Sequence, residues 1–140
     1  AHVNRTAIEA GSGLELIDML DAAVDAARDE GARRIGVLST PLARGLYAER
    51  LRIANLSGVA LSPLGQEALM EAIFAVKAGD LSEQVADVMA AAAAELVQGG
   101  AEVIIAGCSE VPIMLDPDRV AVPLVDATEA LAMACVVACR

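Results

Sequence analysis

Val103-Ile104-Ile105-Ala106 is an unbroken apolar run, preceded by Gly99-Gly100 and stopped by Gly107-Cys108-Ser109. A run this short with no polar alternation reads as a strand buried on both faces, and such strands belong to parallel sheets covered by helices. The small residues that end it then stand at the strand's carboxyl end, the side on which open α/β sheets do chemistry. Cys108 falls at a sharp turn ahead of a short helix, where backbone N–H groups aimed at the sulfur are expected to lower its pKa. A cysteine beside a strand is also a common inert core filler, and local sequence leaves both readings open.

The rest of the chain repeats that plan. After a loop-like start, "GLELID" offers a short strand, and residues 18–30 read as a helix closed by Gly31. Residues 33–38 form a strand, 41–54 a helix with proline in its first turn, and 58–61 a further strand ending at Ser62-Pro63. Two helices follow, 66–77 and 82–98, split by Gly79-Asp80; in the second, Val85, Val88, Ala92 and Leu96 make an apolar stripe. The strand 101–106, a last strand 120–125 and a helix 127–138 complete the pattern. Strands alternating with helices predict an α/β fold: a parallel sheet of about four strands with right-handed crossovers and helices on both faces. "GSGLEL" lacks the third glycine of a dinucleotide fingerprint and follows no clear strand, which argues against a Rossmann cofactor site.

The segments "EGARRIGVLST" and "GGAEVIIAGCS" share a helix end, Gly-Ala, an apolar strand and a small polar turn. Aligning Gly31 with Gly100 puts Ser39 opposite Cys108 and Thr40 opposite Ser109. Two such strand ends can line one cleft, although any two strands of a parallel sheet look alike.

Composition narrows the function. Apolar residues other than glycine make up 56 % of the 140 residues, above the ~45–50 % typical even with glycine counted, which predicts a covered surface: a second copy or a partner domain. Tyr47 and Phe74 are the only aromatics and the net charge is -10, so neither base stacking nor phosphate attraction supports nucleic-acid binding. Three cysteines without a Cys-x-x-Cys pair and a single histidine, His2, form no zinc pattern. Cys135 and Cys139 share a face of the last predicted helix and read as small core hydrophobes. No apolar run approaches the ~18 residues of a membrane span, and free thiols with acidic character suggest the cytoplasm.

"AGCSEVPIML" followed by "VPLVDATEALAMACVVA" resembles the C-terminal signature of cofactor-independent aspartate/glutamate racemases, in which a Gly-Cys-Thr-Glu-x-Pro motif holds the second catalytic cysteine and a Pro-x-x-Asp-Ser/Thr strand follows. "RRIGVLSTPLARGLY" is similar to that family's Gly-x-Leu-x-Thr segment, and the resemblance runs from about Leu14 onward. It implies that Cys108 is the second catalytic thiol, that Thr40 and Ser109, with Ser39, contact a substrate carboxylate, and that Asp126 and Thr128 stand at a strand end near the cleft. It also implies an amino acid or related carboxylate as substrate and no cofactor. Residues 18–118 are then the counterpart of the second racemase domain, and 119–140 a returning strand and helix that pack with a first domain.

Three departures accompany the likeness. Serine stands at 109 in place of threonine, keeping the hydroxyl; Thr40 and Tyr47 are closer than in the family, so no role passes to Tyr47; and the family's first cysteine, in a Cys-Asn-Thr-Ala-His type motif, is not among these residues. Ala1-His2 is similar to that motif's tail, and His2 is equally readable as an exposed terminal residue. Racemisation without a cofactor needs two thiols flanking Cα, one taking the proton as thiolate and one returning it to the other face. Glu110 either orients and deprotonates Cys108 or simply favours a helix start. The competing expectations are a single-cysteine relative resembling arylmalonate decarboxylase, and a catalytically incomplete binding or assembly domain.

Overall fold

Side chains that accept backbone N–H groups open four of the helices. In the computed structural model, which describes residues 4–140, Asp18 caps the helix Met19–Asp29 through Leu20 N (2.8 Å), and Thr40 caps Pro41–Ile53 through Ala43 N (3.4 Å). Ser62 caps Pro63–Lys77 through Gly65 N (3.1 Å), and Asp126 caps Ala127–Ala138 through Thr128 N (2.8 Å). Pro41 and Pro63 supply first-turn residues that need no N–H partner. Gly31 and Gly100 carry φ of 80° and 91°, the left-handed conformation that lets each chain leave its helix and enter a strand.

The order of elements is α1 (Arg5–Ser12), α2 (Met19–Asp29), β1 (Arg34–Leu38), α3 (Pro41–Ile53), β2 (Ser57–Val59), α4 (Pro63–Lys77), α5 (Glu83–Gln98), β3 (Val103–Ala106), α6 (Val111–Met114), a 3-10 turn Pro117–Arg119, β4 (Leu124–Asp126) and α7 (Ala127–Ala138). All strands are parallel in the order β2-β1-β3-β4, the α/β architecture that the alternation predicts. Alternate side chains of the two central strands feed two cores. Ile35, Val37, Val103 and Ile105 pack with Leu20 and Val24 of α2, Tyr47 and Leu51 of α3, and Ala127 of α7. Leu38, Ile104 and Ala106 face Leu69 and Ile73 of α4 and Met89 and Leu96 of α5. Each fully buried side chain such as Ile105 contributes roughly 1.5–3 kcal/mol relative to exposure.

Both ends of the chain differ from expectation. Residues 13–18 form no strand, because their polar groups are met locally: Glu9 takes Leu16 N (3.0 Å), Ser12 Oγ takes Leu14 N (3.2 Å) and Asp18 caps α2. The loop-like start instead contains α1, pinned by Arg5 to Glu9 (3.0 Å) and to Asp21 (2.9 Å). The last strand begins at Leu124, not 120, because Arg119 is drawn onto α5 by Glu83 (3.1 Å) and Asp87 (2.5 Å). Ala1 and His2 lie outside the described residues.

The internal alignment also needs correction. The sheet pairs Leu38 with Ala106, so Ser39 stands opposite Gly107 rather than Cys108, one residue off the match made at Gly31 and Gly100. Glu102 sets this stagger: its N–H donates to Arg34 O (2.8 Å) while its carboxylate accepts Arg33 N (2.6 Å) and Arg34 N (3.0 Å).

Candidate active site

From β1 the chain crosses through α3 to β2 on one side, and from β3 through α6 to β4 on the other. The carboxyl ends of β1 and β3 are therefore a topological switch point, where successive crossovers diverge and leave a crevice. The two sequence-predicted turns meet there, joined by Gly107 N donating to Leu38 O (2.9 Å). From β1 come Ser39, fully buried with Oγ donating to Thr40 O (3.3 Å), and half-buried Thr40. From β3 come half-buried Cys108, exposed Ser109 and half-buried Glu110. Asp126 ends β4, one strand further from Ser39, and spends its carboxylate on the N–H groups of Thr128 (2.8 Å) and Glu129 (3.4 Å); Thr128 is exposed beside it.

Cys108 Sγ donates to Glu110 Oε2 at 2.9 Å, and Ser109 Oγ donates to the same oxygen at 3.2 Å. Lys77, the last residue of α4, brings Nζ to 3.7 Å from Glu110 Oε1. This arrangement overturns the expected activation of the thiol. Burial pushes the Cys108 pKa up and the hydrogen bond to Glu110 pushes it further, outweighing the backbone N–H of Glu110 and the charge of Lys77. The turn supplies little opposing field: α6 is four residues long, and Val111 N donates to Cys108 O (3.0 Å), not to sulfur. Glu110, which makes no capping bond to α6, is held below the usual carboxylate range, first by the thiol's hydrogen bond. Its carboxylate thus holds the thiol proton in place.

Sequence reasoning missed three participants. Lys77 reaches Glu110 only because α4 ends beside the β3 turn, and no local signal announces that. Gln66, nine-tenths buried, donates Nε2 to Ser39 O (3.0 Å) and anchors the β1 turn to α4. Tyr47, set aside in the sequence, packs its ring on Gly107: a Cβ there would come within 2.7 Å of Tyr47 Cε2. Its hydroxyl is buried without a partner, and burial raises its pKa far above the usual range. As the lone tyrosine in a chain with two aromatics, it was the one available signal.

Cys135 and Cys139 stand apart from the crevice, about 12 and 18 Å along the axis from the start of α7. Among the described residues no group of three or more His, Cys, Asp and Glu is placed to hold a metal ion, and no helix is long and apolar enough to cross a membrane.

Residues 1–135 match the family model described as Asp/Glu/hydantoin racemase. A protein of Pectobacterium carotovorum subsp. carotovorum, described as an uncharacterized protein in the pnlA 3' region, is 31 % identical over 121 residues, 84 % of this chain and 80 % of its own length. Among solved structures, an Asp/Glu racemase candidate from Yersinia pestis is 28 % identical with a TM-score of 0.83, covering 91 % of this chain and 57 % of that one. An aspartate racemase homologue from Pyrococcus horikoshii shares the fold at 19 % identity and a TM-score of 0.84, covering 99 % of this chain and 63 % of its own. The chain thus spans under two thirds of the length of these two solved proteins.

Proposed function

Because the chain belongs to the Asp/Glu/hydantoin racemase family, we propose that it carries one half of a two-thiol amino-acid racemase site of the aspartate/glutamate type, with Cys108 as one of the two thiols. The observation that carries this reading is the Cys108–Glu110 hydrogen bond of 2.9 Å at the switch-point crevice. The proton is then stored on sulfur in the resting site. In one direction the opposing thiolate removes the Cα proton, and Cys108 donates its own to the other face as the carbanion collapses. That turnover leaves Cys108 as thiolate, ready to serve as base for the opposite enantiomer. A raised thiol pKa is compatible with this cycle, since catalysis itself generates the thiolate.

Thr40 at the lip donates its hydroxyl hydrogen to the substrate carboxylate, where negative charge grows in the transition state, Ser109 turns its hydroxyl from Glu110 to the same group when substrate binds, and Ser39 supports them from beneath. Lys77 adds positive charge on the same side. The opposing thiol is assigned to protein outside these residues, because Cys135 and Cys139 lie about 12 and 18 Å along the axis from the start of α7 and the solved relatives are longer. The half-exposed α7 surface, with Met133, Val136 and Val137, is where such a first domain would pack.

Hydrogen exchange at Cα of aspartate or glutamate in deuterated water tests the assignment on the full-length protein. Exchange should occur and be abolished by Cys108→Ala; exchange that survives this substitution removes Cys108 from the chemistry. A second reading rests on Cys108 being alone at the crevice among the described residues: a one-thiol enzyme that protonates a carbanion after decarboxylation. Release of carbon dioxide from a substituted malonate, without Cα exchange of either amino acid, would favour it.

A further inference from the structure

A cavity of about 660 Å³ lies away from Cys108, between α3 and the edge strand β2. Beneath it lie the core residues Ile35 and Val37, 0 % and 7 % exposed. On β2 the register partner of Ile35 is Gly58, and Ala60 follows two residues on, on the same face. Across the gap α3 presents Gly45 and Ala48. With nothing longer than a methyl group at these four positions, helix and edge strand stay apart above the buried core, and an apolar recess remains between them.

One end of the recess is polar. Arg44 and Gln66 line it, and Arg44 Nη1 donates to Gln66 Oε1 at 3.1 Å. Among the described residues Arg44 forms no ion pair, although the chain has 20 acidic groups against 10 Lys and Arg. An apolar recess of this size ending in a guanidinium without a carboxylate partner complements a small molecule with an aliphatic body and one negative end. Gln66 carries the contact further, since its other end holds Ser39 O (3.0 Å) directly before Thr40.

We infer that this recess is a binding site for small aliphatic carboxylates, and that its occupancy is transmitted to the Cys108 crevice through Arg44, Gln66 and the Ser39 carbonyl. An incoming carboxylate competes with Gln66 Oε1 for the Arg44 fork. Gln66 then loses the partner that orients it, and its grip on the β1 turn changes. The ligand therefore interacts differently with two arrangements of that turn, which is the condition for coupling between sites. The site is independent of which reaction Cys108 performs.

The test uses octanoate, with octylammonium as a probe of reversed charge and similar apolar volume, on the full-length protein. Calorimetry should show saturable octanoate binding and none by octylammonium. Arg44→Gln should weaken octanoate about tenfold or more, the worth of one charge-assisted contact. Ala48→Leu, at an exposed helical position that tolerates leucine, should fill the recess and abolish binding. Saturating octanoate should change the alkylation rate of Cys108 in the unsubstituted protein and leave it unchanged in Ala48→Leu. Equal binding of both probes, or octanoate affinity indifferent to either substitution, overturns the site. Binding without any change in alkylation overturns the transmission. A dimer that Ala48→Leu splits, with no octanoate bound, assigns the recess to a second copy and overturns the proposal.

Discussion

The turns after β1 and β3 look alike in sequence and are put to different use. After β1, Thr40 faces a thirteen-residue helix, and its oxygen accepts Ala43 N while Gln66 secures the carbonyl of Ser39. After β3 the helix has four residues, and the polar side chains of Cys108, Ser109 and Glu110 bond to one another instead of capping it. A long helix draws the turn's polar atoms into its own backbone; a short one leaves them free for a proton network. The first turn is tied into its helix, and the second, in the proposed function, carries the reactive groups.

Glu110→Gln probes the second turn hardest. Removing the carboxylate takes away the second-largest cause of the raised thiol pKa, so the rate of Cys108 alkylation against pH should move toward lower pH. Cα exchange should fall on the order of a hundredfold, as for loss of a group that manages a transferred proton. An unmoved alkylation profile breaks the contrast. The same raised pKa links to stability: folding favours the protonated thiol, so this contribution is intact below the unfolded thiol pKa of about 8.5 and is lost as pH climbs from there through the folded value. Chemical denaturation across that window should show less of this loss in Glu110→Gln.

Gly107→Ala tests the joint between the two turns. The new Cβ meets the Tyr47 ring of α3 at 2.7 Å, and overpacking of this kind costs ~1–3 kcal/mol. Thermal unfolding should register it; an unchanged midpoint would mean that the ring yields freely and does not set the Cys108 turn. Thr40→Ala has the smallest expected effect, ~1 kcal/mol of lost capping. Because a hydroxyl accepts and donates at once, the KM for substrate should rise as well, and Thr40→Ser should restore both. A change in stability with no change in KM would reduce Thr40 to a cap.

Much of this was legible in the chain because it depends on neighbours a few residues apart. Asp18, Thr40 and Asp126 stand at the expected helix starts, Gly31 and Gly100 mark exits, and the unbroken run at Val103 marks a central strand, whereas Ser62-Pro63, read as a strand end, opens α4 three residues before the expected 66. The expected strand at residues 13–18 failed because apolar alternation cannot compete with the local hydrogen bonds of Glu9, Ser12 and Asp18. Matching the two turns through their glycines succeeded as a comparison of conformation and failed as a register. Glu102 shifts β3 by one residue against β1, and in a pleated sheet one residue exchanges the faces.

From residue 18 onward the alternation of helix and strand, and the placing of Cys108 at a strand end, are properties of periodicity and turn chemistry that the amino-acid sequence alone determined; α1 and the strandless stretch 13–18 depended on contacts such as Arg5 with Asp21 and Glu9 with Leu16 N. The direction of the thiol's pKa shift was decided only by the tertiary structure: burial pushes it up, Glu110, already adjacent in sequence, adds to the rise, and Lys77 is brought to Glu110 by the end of α4, since burial and nearby charge set the energy of an ionised group. The same holds for the recess beside β2. Gly45, Ala48, Gly58 and Ala60 are unremarkable apart, and become a cavity only where a helix and an edge strand bring them face to face.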